Sequence, residues 1–366
     1  GALSLVVLVN QLISGIWLAM SYNPSAEGAF ASVEYIMRDV NFGWLLRYLH
    51  ATGASFFFIV VYLHMFRALL YGSYRKPREL VWLVGMAIFM CLMAEAFFGY
   101  LLPWGNMSYW GAQVITSLFG AIPFVGDWLM EFIRGDYTVS GVTLNRFFAL
   151  HVVLVPLVFV GLVFFHILSL HNVGSNNPDG IDIKKHKDAA GKPLDGVAFH
   201  PYYTVKDTFG LAVFLIFFAI VVFFMPDFFG YFLEPPNFTP ADPLKTPEHI
   251  APVWYMTPYY AILRAIPNKL LGVVAMGMSI ALFFFLPWLD RSPVRSIRYK
   301  GWMSKTALSM FVISFIGLGY LGTQPPSDAK MLLAQLFSFI YFSFFILMPV
   351  YSKLDKTKPE PDRVTF

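Results

Sequence analysis

The stretch GWLLRYLHATGASFFFIVVYLHMFRALLY (43–71) is long and apolar enough to cross a membrane, and it carries His50 and His64. These two histidines are 14 residues apart, and four turns of an α-helix take about 14.4 residues. Both imidazoles therefore fall on one face of a predicted helix, about 21 Å apart along its axis. A second apolar segment places His151 and His166 15 residues apart. We interpret the four histidines as axial ligands of two hemes stacked across a membrane.

The composition indicates a polytopic membrane protein. Of the 366 residues, 57% are hydrophobic and 13% are charged, with a mean hydropathy of +0.61, whereas soluble domains carry about 25% charge. The single cysteine, Cys91, excludes an internal disulfide, a Cys-x-x-Cys-His heme attachment and a four-cysteine cluster within the chain. Its simplest interpretation is a small buried hydrophobe. Because the chain opens inside an apolar stretch, we expect a further N-terminal segment.

The apolar pattern predicts an all-α fold with eight transmembrane helices. The predicted spans cover residues 2–21, 43–71, 80–102, 147–171, 208–230, 270–289, 302–321 and 331–350. The first four form a predicted di-heme four-helix bundle. A mild break near 208 suggests a heme-binding half (1–207) and a C-terminal half (208–366) with no histidine inside a span. Residues 103–141 are expected to form surface helices, and residues 231–267 a long aromatic loop.

Loop charges assign an orientation to these helices. Sixteen cations lie on one side: Arg75, Lys76, Arg78, Lys184, Lys185, Lys187, Lys192, Lys206, Arg291, Arg295, Arg298, Lys300, Lys353, Lys356, Lys358 and Arg363. The opposite loops hold chiefly Arg38, Arg134, Lys245 and Arg264. By the positive-inside rule, the sixteen-cation side is the inner one.

The orientation pairs the histidines by depth. The second and fourth spans run in the same direction, so His50 and His151 lie together near the outer face, and His64 and His166 near the inner face. We expect Pro156, between the second pair, to disturb the helix and absorb the extra residue of that spacing.

Two further sets of residues fit the heme interpretation. Glycines repeat at 14 residues in the first and third spans, where they would let a macrocycle approach the backbone; close helix packing is the alternative. They are Gly1, Gly15, Gly85 and Gly99. Arg47 and Arg67 lie one turn from His50 and His64 and are expected to pair with heme propionates. Anchoring at the membrane interface is the alternative for both.

Four motifs, GYLLPWGNMSYWGA (99–112), HNVGSNNP (171–178), HPYYTVKD (200–207) and PVWY (252–255), give the chain a close resemblance to a known family. With the histidines, they resemble the cytochrome b subunit of quinol–cytochrome c oxidoreductases of the proteobacterial type. The resemblance implies two non-covalent b hemes and two quinone sites. Quinol would be oxidised at the outer site, one electron passing to a Rieske iron–sulfur protein and the other crossing to reduce quinone at the inner site, which contributes to the proton gradient.

The resemblance also implies functional residues. For the outer quinol site these are Tyr100, Gly111, Trp254, Tyr255 and Tyr260, with Ala121, Ile122 and Pro123 near the Rieske docking surface. For the inner quinone site they are His171, Ser175, Lys206 and Asp207. Imidazole and carboxylate groups are suitable proton donors to a quinone. Without the resemblance, Lys206 and Asp207 are equally well explained as a solvated loop pair.

One motif departs from the family pattern. The family commonly has Pro-Glu-Trp-Tyr, whose glutamate accepts a quinol proton, whereas this chain has Val253 there. We expect Glu248 to take over proton acceptance. Glu95, an intramembrane carboxylate, is a second candidate, and water together with Tyr255 is the third explanation.

The resemblance implies a subunit with a c-type heme as a further partner, a homodimer of the complex and ubiquinone as the quinone, and we expect no nucleic acid partner. Val253 and the lysine-rich insert at 184–195 favour a bacterial inner membrane over a mitochondrial one. The alternatives are the photosynthetic cytochrome bf relative, a di-heme membrane anchor for another dehydrogenase, and a transporter. The uninterrupted chain and the eighth span disfavour the cytochrome bf relative. The long aromatic loops disfavour the membrane anchor, and the paired histidines disfavour the transporter.

Overall fold

A computed structural model describes residues 1–364, which form helices and loops with no β-strand in that range. Eight helices in these residues are long and apolar enough to span a membrane, which confirms the predicted fold class. We number them α1 to α8 in chain order: Ala2–Ala19, Gly43–Tyr71, Glu79–Leu101, Gly141–Val173, Phe199–Phe224, Lys269–Leu289, Trp302–Thr323 and Asp328–Ile346.

Shorter helices lie outside these eight. Five of them are Ala29–Arg38, Asn106–Phe119, Gly126–Arg134, Thr257–Ala265 and Met348–Leu354. The second and third confirm the helices expected between residues 103 and 141. Single 3₁₀ turns occur at Pro235–Phe238 and Trp254–Met256, inside the long loop between α5 and α6.

Helix α4 begins at Gly141, earlier than the predicted residue 147, because a capping box defines its start. The Ser140 hydroxyl accepts a hydrogen bond from the Val142 amide, and the Thr143 hydroxyl accepts one from the Ser140 amide. The predicted boundary followed the apolar run and missed this polar first turn. At its other end α4 continues to Val173.

A π-helical turn, Leu150–Leu154, interrupts α4 just before Pro156. A π turn contains more residues than an α turn and is common at functional sites. It therefore accommodates the additional residue between His151 and His166, as the position of Pro156 suggested.

Helix α5 begins at Phe199 and ends at Phe224, whereas the predicted span ran from 208 to 230. Pro226 explains the early end, since the residue before a proline is disfavoured in the α conformation. Residue 207 consequently lies within α5. The division into halves at 207 and 208 stays a prediction.

The basic loops 72–78, 174–198 and 290–301 lie together, on what we call the cationic face. Arg75 donates hydrogen bonds to the carbonyls of Ser292 and Val294, at 2.5 and 2.6 Å. Arg78 donates to the Gly174 carbonyl at 3.0 Å. Buried Lys300 and Asp290 form an ion pair at 2.6 Å. These contacts agree with the predicted separation of charge between the two sides.

On the opposite face, the loop between α5 and α6 packs on the start of the helix Asn106–Phe119. The Ala241 amide donates to the Trp104 carbonyl at 2.9 Å, and the Asn106 amide donates to the Thr239 carbonyl at 3.0 Å. Deeper in the core, the rings of Phe58 and Tyr255 stack with centres 3.8 Å apart and planes 5° apart. The α5–α6 loop is thus fixed to helices from the first half of the chain.

Candidate heme and quinol sites

Helices α2 and α4 bring the four histidines together in two pairs. The ring centres of His50 and His151 are 6.1 Å apart, and those of His64 and His166 are 6.4 Å apart. Metal–imidazole bonds are about 2 Å long, so an iron bonded to one nitrogen of each ring holds the ring centres about 6 Å apart. Both pairs fit an iron between two imidazoles.

The glycines of α1 and α3 face imidazole rings. A Cβ atom on Gly15 would lie 3.0 Å from Cε1 of His50, and one on Gly85 would lie 3.1 Å from Cε1 of His166. A Cβ on Gly99 would overlap the His151 ring, whereas one on Gly1 would meet nothing within 4 Å. Gly15, Gly85 and Gly99 thus make room for the imidazole rings. Their contact with the macrocycle itself stays a prediction.

Neighbouring groups orient two of the rings. The Ser14 hydroxyl lies 3.0 Å from Nδ1 of His50. Two oxygen atoms of Glu95, its carbonyl and one carboxylate oxygen, lie 2.9 and 3.1 Å from Nδ1 of His151. Such contacts to Nδ1 leave Nε2 of each ring free for a metal. Glu95 therefore belongs to the histidine pair and contacts a ligand ring, which sets it apart from the outer quinol residues.

The two arginines beside the histidines differ in their surroundings. Arg47 is half-buried in α2 and forms no ion pair with an acidic residue among residues 1–364. Arg67 is exposed, with its guanidinium 5.0 Å from the centre of the Tyr71 ring. Both remain available to an external carboxylate such as a heme propionate.

A second cluster lies around Tyr100 at the end of α3, on the face opposite the cationic face. The Tyr100 hydroxyl donates a hydrogen bond to the Glu234 carboxylate at 3.1 Å, and the Asn237 side-chain amide donates to the Tyr100 hydroxyl at 3.0 Å. The same amide reaches the Glu234 carboxylate at 3.3 Å. The side-chain oxygen Oδ1 of Asn237 accepts a hydrogen bond from the Ser108 backbone amide at 2.8 Å, and this contact fixes the orientation of the Asn237 side chain.

Burial raises the pKa of the Glu234 carboxyl to about 7, against the lowering effect of its hydrogen bonds from Tyr100 and Asn237. A carboxyl with a pKa near 7 exchanges a proton readily at neutral pH. Sequence reasoning missed Glu234 and Asn237, because nothing in the segment EPPN (234–237) indicates burial. The only available signal was an acid directly following the aromatic run FFGYFL (228–233).

The other residues expected at the outer site have the following contacts. Tyr255 is buried, and the Tyr62 hydroxyl donates to its carbonyl at 2.6 Å. The Trp254 indole donates to the Ser55 hydroxyl at 3.0 Å, and the Tyr260 hydroxyl donates to the Ile250 carbonyl at 3.2 Å. A Cβ on Gly111 would lie 3.7 Å from the Tyr100 ring.

Val253 is buried and Glu248 is exposed. The Glu248 side chain forms no hydrogen bond or ion pair in the part of the chain that the structure describes. Glu248 therefore shares no hydrogen bond with the buried cluster around Glu234. Ala121, Ile122 and Pro123 lie on the opposite face, in the turn between the helices Asn106–Phe119 and Gly126–Arg134.

The four residues expected at the inner site lie near the cationic face. His171 is exposed at the end of α4, and the Ser175 carbonyl accepts a hydrogen bond from Arg78 at 3.2 Å. The Lys206 ammonium lies 5.6 Å from the centre of the Tyr203 ring, and Asp207 is exposed in α5. No hydrogen bond or ion pair joins these four side chains to one another within residues 1–364.

Comparison with known proteins decides the family. A model described as "Cytochrome b/b6/petB" matches residues 1–174, and one described as "Cytochrome b(C-terminal)/b6/petD" matches residues 240–342. This chain belongs to the cytochrome b family. A cytochrome b of Allochromatium vinosum is 60% identical over 100% of this chain and 90% of that protein, and one of Rhodospirillum rubrum is 50% identical over 99% and 86%.

Solved structures agree with this family. A chain described as "Hyperthermophilic respiratory Complex III" superposes with a TM-score of 0.89 at 41% identity, covering 96% of this chain and 90% of that one. The family is one of heme b proteins, and the two histidine pairs are the residues of this cytochrome b that fit such a group.

Replacing Gly99 by alanine tests the role assigned to the glycines in this cytochrome b. Its Cβ would overlap the His151 ring, so we expect Gly99→Ala to lose one of the two expected hemes. Gly161→Ala is the matched control, because a Cβ on Gly161 in α4 would meet nothing within 4 Å. Heme extraction and quantification make the comparison, and equal heme contents in the two variants would show that the close approach is unimportant.

Proposed function

We propose that this cytochrome b is the electron-transferring, quinol-oxidising subunit of a quinol–cytochrome c oxidoreductase. The observation that carries the proposal is the presence of two histidine pairs at two depths, each with the ring separation that an iron requires. The partners are a Rieske iron–sulfur protein and a c-type heme subunit in a homodimeric complex of a bacterial inner membrane. Ubiquinone is the proposed quinone.

The two proposed b hemes supply reversible one-electron transfer between the two faces of the membrane. His50 and His151 hold one of them, and His64 and His166 hold the other. The chain fixes the ligand rings through Ser14 and Glu95, and it separates the pairs by about 21 Å along α2. Arg47 and Arg67 would neutralise propionates at the two faces.

The proposed quinol site lies on the face opposite the cationic face. There Glu234 is the proposed proton acceptor, in place of the glutamate in the family motif Pro-Glu-Trp-Tyr. Val253 can neither accept a hydrogen bond nor carry a proton, and Glu248 is exposed. Glu234 is buried beside the Tyr100 hydroxyl, and its raised pKa suits proton exchange near neutrality. Tyr100 and Asn237 orient its carboxylate. Trp254, Tyr255 and Tyr260 are proposed to line the quinol site.

At the cationic face, His171, Ser175, Lys206 and Asp207 are proposed to bind and protonate quinone. Their placement near one membrane face supports this role, and an imidazole and a carboxylate are the groups that would deliver protons. Quinol oxidation at one face and quinone reduction at the other together move charge across the membrane.

The first test is a dithionite-reduced minus oxidised spectrum of the purified complex, with heme quantification per cytochrome b chain. We expect two b hemes per chain, both reducible by quinol. Fewer than two would overturn the proposal. Two hemes without quinol-dependent cytochrome c reduction in the intact complex would instead indicate an anchor for another enzyme.

A further inference from the structure

One of the four histidine rings has a carboxylate beside Nδ1, the ring nitrogen that is not directed at the proposed metal. Nδ1 of His151 lies 2.9 Å from the Glu95 carbonyl oxygen and 3.1 Å from the Glu95 carboxylate oxygen Oε1. Both neighbours are acceptors, so Nδ1 carries the hydrogen and donates to the two oxygens. The ring therefore presents Nε2 to the metal, and its N–H is held by the Glu95 side chain and carbonyl.

The other rings lack such a neighbour in the described part of the chain. Nδ1 of His50 faces the neutral Ser14 hydroxyl at 3.0 Å. Among residues 1–364, no acidic side chain comes within ion-pair distance of His50, His64 or His166. The carboxylate contact therefore distinguishes one member of one pair.

The carboxylate itself is costly where it lies. Glu95 sits inside the spanning helix α3, and its second oxygen, Oε2, is buried without a hydrogen-bond partner. Within the described residues, no Lys or Arg side chain forms an ion pair with it. Intramembrane acids without a cation partner are rare and indicate a functional role. An iron bound to His151 would supply the positive charge that compensates Glu95.

We propose that Glu95 is a positioning residue that holds the His151 ring and stabilises the oxidised state of the heme bound there. A negative charge at the far side of a ligand imidazole strengthens its donation to the metal and favours the more positive oxidation state. The result is a lower reduction potential for this heme than a neutral partner would give. The proposal rests on the proposed two-heme function. It adds to that function a residue that lowers the reduction potential of one heme without being an iron ligand.

The experiment is an equilibrium redox titration of both hemes in the purified complex carrying Glu95→Gln, which keeps the side-chain length and removes the charge. We expect both hemes to remain and the ratio of reduced to oxidised heme at the His50–His151 position to rise at least tenfold at fixed ambient potential. Tenfold corresponds to about 59 mV for a one-electron couple. The heme at His64–His166 is an internal control, and Ser14→Ala, which removes a neutral partner from His50, should shift the potential less.

The outcomes are distinguishable from those of the first test. Two hemes in Glu95→Gln with an unchanged potential would overturn the role of Glu95 and leave the proposed function intact. Fewer than two hemes in the unmodified complex would overturn the proposed function. Glu95→Ser provides a second neutral variant, so that a potential can be read from whichever variant retains the heme. A raised reduction potential of the His50–His151 heme in either variant, together with an altered electron paramagnetic resonance signal of that heme, supports the proposal.

Discussion

Replacing His151 by leucine is expected to remove one b heme and leave the other in place. Leucine offers no nitrogen to iron, and His64 and His166 form a separate pair about 21 Å along α2. Without the first heme, electrons from quinol oxidised at the Glu234 site have no route to the cationic face, so reduction of the remaining heme through that site should be abolished. Heme quantification and stopped-flow spectroscopy of the purified complex measure both effects.

His171→Leu is the matched control, because it removes a histidine from α4 that belongs to neither pair. We expect it to retain both hemes. Retention of both hemes in His151→Leu would contradict the assignment of the pair, whatever the catalytic rate.

Replacing Glu234 by glutamine is expected to slow quinol oxidation about a hundredfold, the scale typical of removing a positioned general base. The proton acceptor must be deprotonated to act, and the Glu234 pKa lies at about 7. Quinol oxidation in the unmodified complex should therefore rise with pH through about 7 and level off above it. In Glu234→Gln that rise should be absent, which steady-state rates between pH 5.5 and 8.5 would show.

The control for this prediction is Glu248→Gln, since Glu248 is exposed and lies five residues before Val253. We expect it to keep the rate and the pH profile of the unmodified complex. If Glu248→Gln lost the pH-dependent rise while Glu234→Gln kept it, Glu248 would be the proton acceptor and the assignment of Glu234 would be wrong.

The sequence was sufficient for the features that depend on periodicity. The spacing of His50 from His64 fixes one helix face, and the charged loops give the helix directions that pair them with His151 and His166. The π turn at Leu150–Leu154 was only indirectly visible, through a 15-residue spacing and Pro156. The early start of α4 was missed because Ser140 and Thr143 act through local hydrogen bonds, which an apolar average does not detect.

The features that depend on contacts between distant segments were not predictable. Glu234 and Tyr100 are 134 residues apart along the chain, and only the packing of the α5–α6 loop brings them together. Glu95 was recognised as unusual because it is an acid inside a span, yet its partner could not be assigned, since α3 presents it toward a ring on α4. The contact between Gly99 and the His151 ring was likewise not predictable, because the 14-residue spacing does not show which group on another helix faces the glycine.

The Asn237 side chain joins the surface helix Asn106–Phe119 to the buried acid, and this makes loop docking and protonation of Glu234 linked equilibria. The docked loop raises the Glu234 pKa from 4.5 to about 7, so docking binds a proton more tightly than the free loop does. By linkage, protonation stabilises docking, by about 3 kcal/mol below pH 4.5, and this contribution is lost as the pH rises through about 7. Deprotonation of Glu234 therefore lowers the free energy that holds the loop in its docked position, and reprotonation restores it.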